Sequence, residues 1–415
     1  GSAGTPHGRG SIAPVNASHR VSEERSMSGA VRGALRRFAA ALGHPPGSAG
    51  ANASSSIGAV GTRAMRSFAS KPAEFTFGDE DQARRYDDAL ASQVFRPWCE
   101  AMVEINEPVP GNKVLDLACG TGINTMLLAS RVGDKVPGGQ VVGVDVSRGM
   151  LAVAEAKAKN AHSSAPASDG IANPDGLAPM TFHFGDACAE DTPWHECFVG
   201  RFDRAYCHQG LQFMADPIEA LCRVRSALAP GGQFTCATWA PIEHQPLFLA
   251  VHRALCGPDV ARPEWGEAML APFAWNSSGD TRGSHAEGVR KLEDALARAG
   301  FDAPDAAVER GYVYFANVDA AAGVVRAAPF YAELIADEGL YERYVRAVRR
   351  RLAEVESELG GFTRVDVADA SEGGWGVVEA AKKSGNLKGG DVMAIPAVAY
   401  FGHATAPWNV LGTKG

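Results

Sequence analysis

Lys113-Val-Leu-Asp-Leu-Ala-Cys-Gly-Thr-Gly122 decides the fold of this chain. A short apolar run of strand type passes directly into a glycine turn, and Asn124 to Val132 then reads as a helix. The unit strand, glycine turn, helix repeats its rhythm downstream. Gln140 to Asp145 is a second apolar run, and Ser147 is placed to cap a helix through Met150, Ala154 and Ala158. Met180 to Phe184, Phe202 to Cys207 and Gln233 to Trp239 are further strands, with a helix over Pro217 to Leu228 closed by Pro230-Gly-Gly232. Strands alternating with helices at this spacing predict βαβ units, a parallel sheet and helices on both faces. Upstream, Tyr86, Leu90, Val94 and Trp98 predict a helix over Asp79 to Glu104. Downstream, helices are expected over 286–300, 319–336 and 340–359, and strands over 308–315 and 392–401.

Glycine lets a backbone approach a ligand without a Cβ in the way, and a helix N-terminus offers free N–H groups. That suits a phosphate or a carboxylate equally. A dinucleotide fingerprint would need a third glycine where Thr125 stands, and Asp116 would face a pyrophosphate badly. A nicotinamide oxidoreductase is thereby disfavoured. Asp116 would suit an ammonium group near the loop. Asp145, ending the second strand, can accept from a ribose diol. Asp186, after the third, can accept from an adenine amine.

Val114 to Gly122, Gly143-Val-Asp145-Val-Ser, Phe184-Gly-Asp186-Ala187 and Leu228-Ala-Pro-Gly-Gly232 together resemble the motifs of class I S-adenosylmethionine-dependent methyltransferases, over about residues 80–240. The later region resembles the small-molecule branch of methyltransferase type 11 more loosely. The resemblance implies a doubly wound, mostly parallel α/β sheet of seven strands with an added helical lid. It implies S-adenosyl-L-methionine as cofactor. The backbone of Ala118, Gly120, Thr121 and Gly122 would hold the methionine part. Asp116 would reach its amino group and Asp145 the ribose, with Val146 beside it. Asp186 and the Ala187 amide would read the adenine, against which Met150 would pack, while Tyr86 would close over the methionine end. His208, just after the fourth strand, is the candidate base, with Gln209 a similar candidate beside it. The aromatic residues of 239–331 suggest an apolar or aromatic small-molecule acceptor.

Composition bounds the rest. The 415 residues are 46% hydrophobic and 21% charged, with a net charge of −8, which argues against a nucleic-acid partner. Eight cysteines form no C-x-x-C pair, so neither a zinc site nor a disulfide scaffold is expected. No run reaches the roughly 20 apolar residues of a membrane span. From Ser26 to Ala73 there is no acid, while Arg32, Arg36, Arg37, Arg63 and Arg66 recur among Ala, Gly and Ser. Residues 1–73 therefore read as an organelle transit segment, mitochondrial ahead of plastid, with a low-complexity tail and a cytoplasmic protein as the alternative. Residues 74–415 read as one elaborated domain: a cofactor core over about 105–240, an acceptor and lid region over 241–391, and a final strand over 392–403. Residues 161–179 read as a surface insertion. Two other functions stay open: a methyltransferase-like assembly factor without catalysis, and a protein or RNA methyltransferase. The latter is disfavoured by the lack of an Asn/Asp-Pro-Pro-Tyr/Phe motif.

Overall fold

A computed structural model describes residues 79–163, 176–189, 197–276, 285–359, 363–365 and 392–408. The expected transit segment, most of the expected insertion and much of 360–391 lie outside these residues.

Strand β1 (Lys113–Leu117) is central and buried beyond its first residue. It pairs in parallel with β2 (Gln140–Asp145) on one side and β4 (Phe202–His208) on the other. Next, β3 (Met180–Phe184) adds in parallel to β2, and β5 (Leu228–Trp239) to β4. The last two long strands, β6 (Asp302–Phe315) and β8 (Val392–Thr405), are antiparallel, giving the order β3-β2-β1-β4-β5-β8-β6. The expected seven strands are all present. An eighth, β7 (Thr363–Val365), pairs with Val392 to Ala394 of β8, the part of that strand which β5 does not reach.

Each parallel strand is followed by a helix or a turn. These are α3 (Ile123–Val132) after β1, α4 (Arg148–Ser163) after β2, and α5 (Pro217–Ala227) before β5. Alternation along β1 sends its side chains to two separate cores. Val114 joins one core, which also holds Leu128 of α3, while Leu115 and Leu117 join another with Leu221 of α5. Local chemistry starts the helices. The Asp216 side chain accepts from the N–H groups of Ile218 and Glu219, and Pro217 follows at the first helical position, where its missing N–H costs nothing.

The N-terminal helix differs from its expected form. It begins as α1 (Glu80–Tyr86), widens into a π-helical segment over Asp87–Phe95, and returns to α geometry as α2 (Arg96–Ile105). The widening has a consequence for side chains. Residues nine apart fall on opposite faces of an α-helix at about 3.6 residues per turn. With i→i+5 bonding, about 4.4 residues per turn, they fall on nearly the same face. Tyr86 and Phe95 accordingly stack at 5.4 Å.

Further on, α6 (Pro246–Cys256), α7 (Pro263–Ala268), α8 (His285–Arg298) and α11 (Leu340–Leu359) complete the packing around the antiparallel side. The continuous helix expected over 319–336 is instead α9 (Val318–Ala322), a 3-10 stretch over Gly323–Ala327 and α10 (Tyr331–Ala336). Pro329 explains the break: it biases Ala328 away from helical backbone, and Ala328 is extended at φ −73°, ψ 145°.

Candidate functional site

The carboxyl ends of the parallel strands share one edge of the sheet, and the chain reverses its direction of travel between β1 and β4. A crevice at such a switch point is where ligands of open α/β sheets bind. The turn after β1 lies here. Ala118, Gly120 and Gly122 all have left-handed backbone, with φ of 55°, 54° and 80°. A Cβ built on Gly120 would meet nothing within 4 Å, so this point of the turn faces open space. The turn is held from below and beside. The Gly120 N–H donates to Asp145 Oδ2 at 2.8 Å, and the Ser147 N–H donates to Asp145 Oδ1 at 2.8 Å. Asp145 thus ties the β1 turn to the end of β2. Burial raises the pKa of its carboxyl, opposed by these backbone N–H groups.

Asp116 sits one turn deeper. It shares the face of Val114, toward α3, and accepts from Asn124 Nδ2 at 2.8 Å and Thr125 Oγ1 at 2.6 Å. Both carboxylate oxygens are thereby engaged by the first turn of α3, and burial raises the pKa to about 6. What the structure gives Asp116 is the anchoring of turn to helix; any ligand amino group would have only its remaining lone pairs.

The N-terminal helix closes one side. Asp87 Oδ1 accepts from Thr121 Oγ1 at 2.5 Å and from Lys157 Nζ at 2.8 Å, joining helix, turn and α4. Tyr86 packs with Ala83, Met150 and Val153, so Met150 lies beneath the N-terminal helix. On the other side, Val146 is 57% exposed and Phe184 43% exposed, an apolar rim beside Asp145. The Arg148 guanidinium lies 4.0 Å from the Phe184 ring centroid. Asp186 uses one oxygen to accept from the Cys188 N–H at 2.7 Å, which shapes the turn after β3, and Ala187 is buried behind it.

Past β4, Gly210 presses on the β1 turn. A Cβ there would come within 2.5 Å of the Ala118 Cβ and 2.8 Å of Cys207 Sγ, so only glycine allows this approach. His208 meets the Phe95 ring edge-on at 5.7 Å, and Phe95 lies 6.4 Å from Trp239. Burial lowers the His208 pKa to about 3, and its Nε2 has no hydrogen-bond partner. The imidazole is therefore neutral near pH 7.

Hydrogen bonds join Gly120 to Asp145 and Thr121 to Asp87, Tyr86 packs on Met150, and His208 lies against Phe95, while Asp116 and Met150 are buried. Asp87, Phe95 and Lys157 escape sequence reasoning. The signal for Phe95 lay in the π widening, which no residue pattern marks. The residues fit an adenosyl ligand joined to an amino acid. Asp145 keeps unused lone pairs for a diol, Val146 and Phe184 offer an apolar edge to a planar ring, and the Gly120 turn is open.

Residues 115–236 match the family model for a methyltransferase domain. A demethylmenaquinone methyltransferase of Symbiobacterium thermophilum is 30% identical over 157 residues, 37% of this chain and 54% of the relative. A ubiquinone/menaquinone biosynthesis C-methyltransferase, UbiE, of a Shewanella species is 30% identical over 181 residues, 43% of this chain and 64% of the relative. The chain thus spans less than two thirds of either relative's length. Among solved structures, a phosphoethanolamine N-methyltransferase 2 of Haemonchus contortus overlays with a TM-score of 0.42 at 16% identity, covering 80% of this chain and 59% of that one. Residues 115–236 therefore form a methyltransferase domain of the class I S-adenosylmethionine-dependent kind.

Proposed function

We propose that this protein transfers a methyl group from S-adenosylmethionine to a small, apolar or aromatic organic acceptor. The observation that carries the reading is the clamp of Asp145 on the Gly120 N–H, at the switch point and beside open space. Bound there, the cofactor would supply an activated sulfonium methyl group.

The chain's own residues bind, orient and exclude water. The remaining lone pairs of Asp145 accept from the ribose diol. The turn from Ala118 to Gly122 receives the amino-acid end. Val146 and Phe184 flank the adenine, with Asp186 and Ala187 at its rim. The tie from Thr121 through Asp87 to Lys157 holds the N-terminal helix down as one wall, so that Tyr86 and Phe95 shield the centre from solvent. Aligning the two reactants in such a wall supplies catalysis by orientation alone.

His208 acts in this reading as a neutral hydrogen-bonding group. With its pKa lowered to about 3 it is a poor store for a proton taken from the acceptor. The aromatic run of Phe95, Trp239, Phe248 and Phe273 supports a flat apolar acceptor. Relatives named for demethylmenaquinone and for ubiquinone and menaquinone biosynthesis support a ring-bearing one. We take α6, α7 and the 3-10 stretch Ala271–Asn276 as the lid over that acceptor.

Calorimetric titration with S-adenosylmethionine tests the reading. Micromolar binding is expected, lost in Asp145→Ala. A folded wild-type protein that takes up no cofactor would refute it, leaving a methyltransferase-like protein without the reaction.

A further inference from the structure

Buried polar atoms without partners are uncommon in folded proteins, and each calls for a physical explanation. Four of them gather just beyond β4 and β5: His208 Nε2, Gln209 Nε2, Gln212 Oε1 and Asn276 Oδ1. Asn276 is tied to the end of β5, donating through Nδ2 to Thr238 Oγ1 and the Trp239 carbonyl. Gln209 is 6% exposed and holds left-handed backbone at φ 54°, immediately before the glycine that presses on Ala118. Its backbone therefore passes directly beside the cofactor turn.

The two glutamines are linked. Gln212 Nε2 donates to Gln209 Oε1 at 3.0 Å. That bond fixes how the remaining atoms behave: Gln209 Nε2 is left as a donor and Gln212 Oε1 as an acceptor. Exchanging nitrogen and oxygen in both amides reverses the bond, yet still leaves one donor and one acceptor. A group that satisfies both at once must present an acceptor and a donor, and the most compact such group does so through a single atom. A hydroxyl does so. A carboxylate, an ether or a ketone only accepts, and an ammonium only donates.

We propose, resting on the methyltransferase reading above, that the Gln209–Gln212 carboxamide pair selects an acceptor bearing a hydroxyl on an aromatic body. The hydroxyl oxygen accepts from Gln209 Nε2 and its proton is donated to Gln212 Oε1. The ring lies along Phe95 and Trp239. His208 Nε2 and Asn276 Oδ1 supply places for a second oxygen on the same ring. These residues are specificity-determining; none of them is assigned a proton transfer.

The test is calorimetric titration of the full chain with three probes that share one ring system: 2-naphthol, 2-methoxynaphthalene and 2-naphthoate. Each titration is made with and without saturating S-adenosylhomocysteine. Wild type is expected to bind 2-naphthol at least about tenfold more tightly than either other probe, the worth of one hydrogen bond left unmade. Gln209→Leu and Gln212→Leu should each abolish that preference, and Gln212→Leu should leave the 2-methoxynaphthalene affinity within twofold. Thermal melting of each variant confirms folding, and Gln212, in a short half-buried turn, tolerates substitution better than Gln209. A wild type without preference among the probes, or a preference that survives both substitutions, overturns the proposal. Failure to bind S-adenosylhomocysteine while the naphthol preference persists would instead strike the cofactor reading and leave the hydroxyl site standing.

Discussion

Gly120→Ala separates the geometry of the cofactor turn from its stability. Gly120 has φ +54°, where an L-residue is strained by roughly 1–2 kcal/mol. The added methyl meets no protein atom within 4 Å, so strain is the whole cost to the fold. For a domain of this size that lowers the melting temperature by roughly 2–6 °C. The same methyl projects into the space that the reading assigns to the cofactor, where a bound ligand and a methyl carbon cannot coexist. The affinity for S-adenosylmethionine should therefore fall by about a hundredfold or more, beyond what strain explains. Gly122→Ala is the control. Its φ is +80° and its Cβ would lie 3.0 Å from the Ala154 Cβ, so it should lose more stability than Gly120→Ala. Differential scanning fluorimetry and calorimetric titration measure the two quantities side by side. A Gly120→Ala protein that binds the cofactor within threefold of wild type would refute the placement of the ligand over this turn.

Two buried carboxyls both make stability fall as pH rises, over windows that overlap at the acid end. Burial raises Asp116 to about 6 and Glu309, only 6% exposed on β6, to about 8. For each, the folded state holds a proton that the unfolded state has released, so stability falls as pH rises from the ordinary carboxyl value to the raised one. Urea unfolding should show Asp116→Asn removing a loss on the order of 3 kcal/mol between about pH 4 and 6. Glu309→Gln should remove a larger loss, on the order of 4–5 kcal/mol, between about pH 4.5 and 8; equal slopes in wild type and variant would contradict the burial argument. Residues 1–73, fused to a fluorescent protein, should direct it to mitochondria in cells, and diffuse cytoplasmic fluorescence would dismiss the transit reading.

Much of the fold was legible because burial on a parallel sheet forces a sequence signature. The apolar runs 113–117 and 140–145 end in a turn and an acid where the strands end, and the structure places those breaks at one edge. Asp145 and Gly120 were readable for that reason: a carboxylate at a strand end and a glycine at a turn are local requirements. The roles within the site were less legible. Asp116, read toward a ligand, spends both oxygens on Asn124 and Thr125, because strand alternation turns it toward α3. The helix expected over 319–336 broke at Pro329, a local signal that the apolar spacing around it outweighed.

The sequence by itself therefore determined the order of strands and helices, the position of the turn and the acid that secures it. These follow from backbone preference and from period, which act over a few residues. Only the tertiary structure decided what meets across the crevice. The π segment sets Tyr86 on Phe95, Asp87 reaches Thr121 and Lys157, and Gly210 lets the β4 end close on Ala118. Apart from the Tyr86–Phe95 pair, nine positions apart, those contacts join residues 34 to 92 positions apart, and no local preference encodes which distant partner fills a given volume. Close packing chooses among partners, and it acts only once the chain has folded.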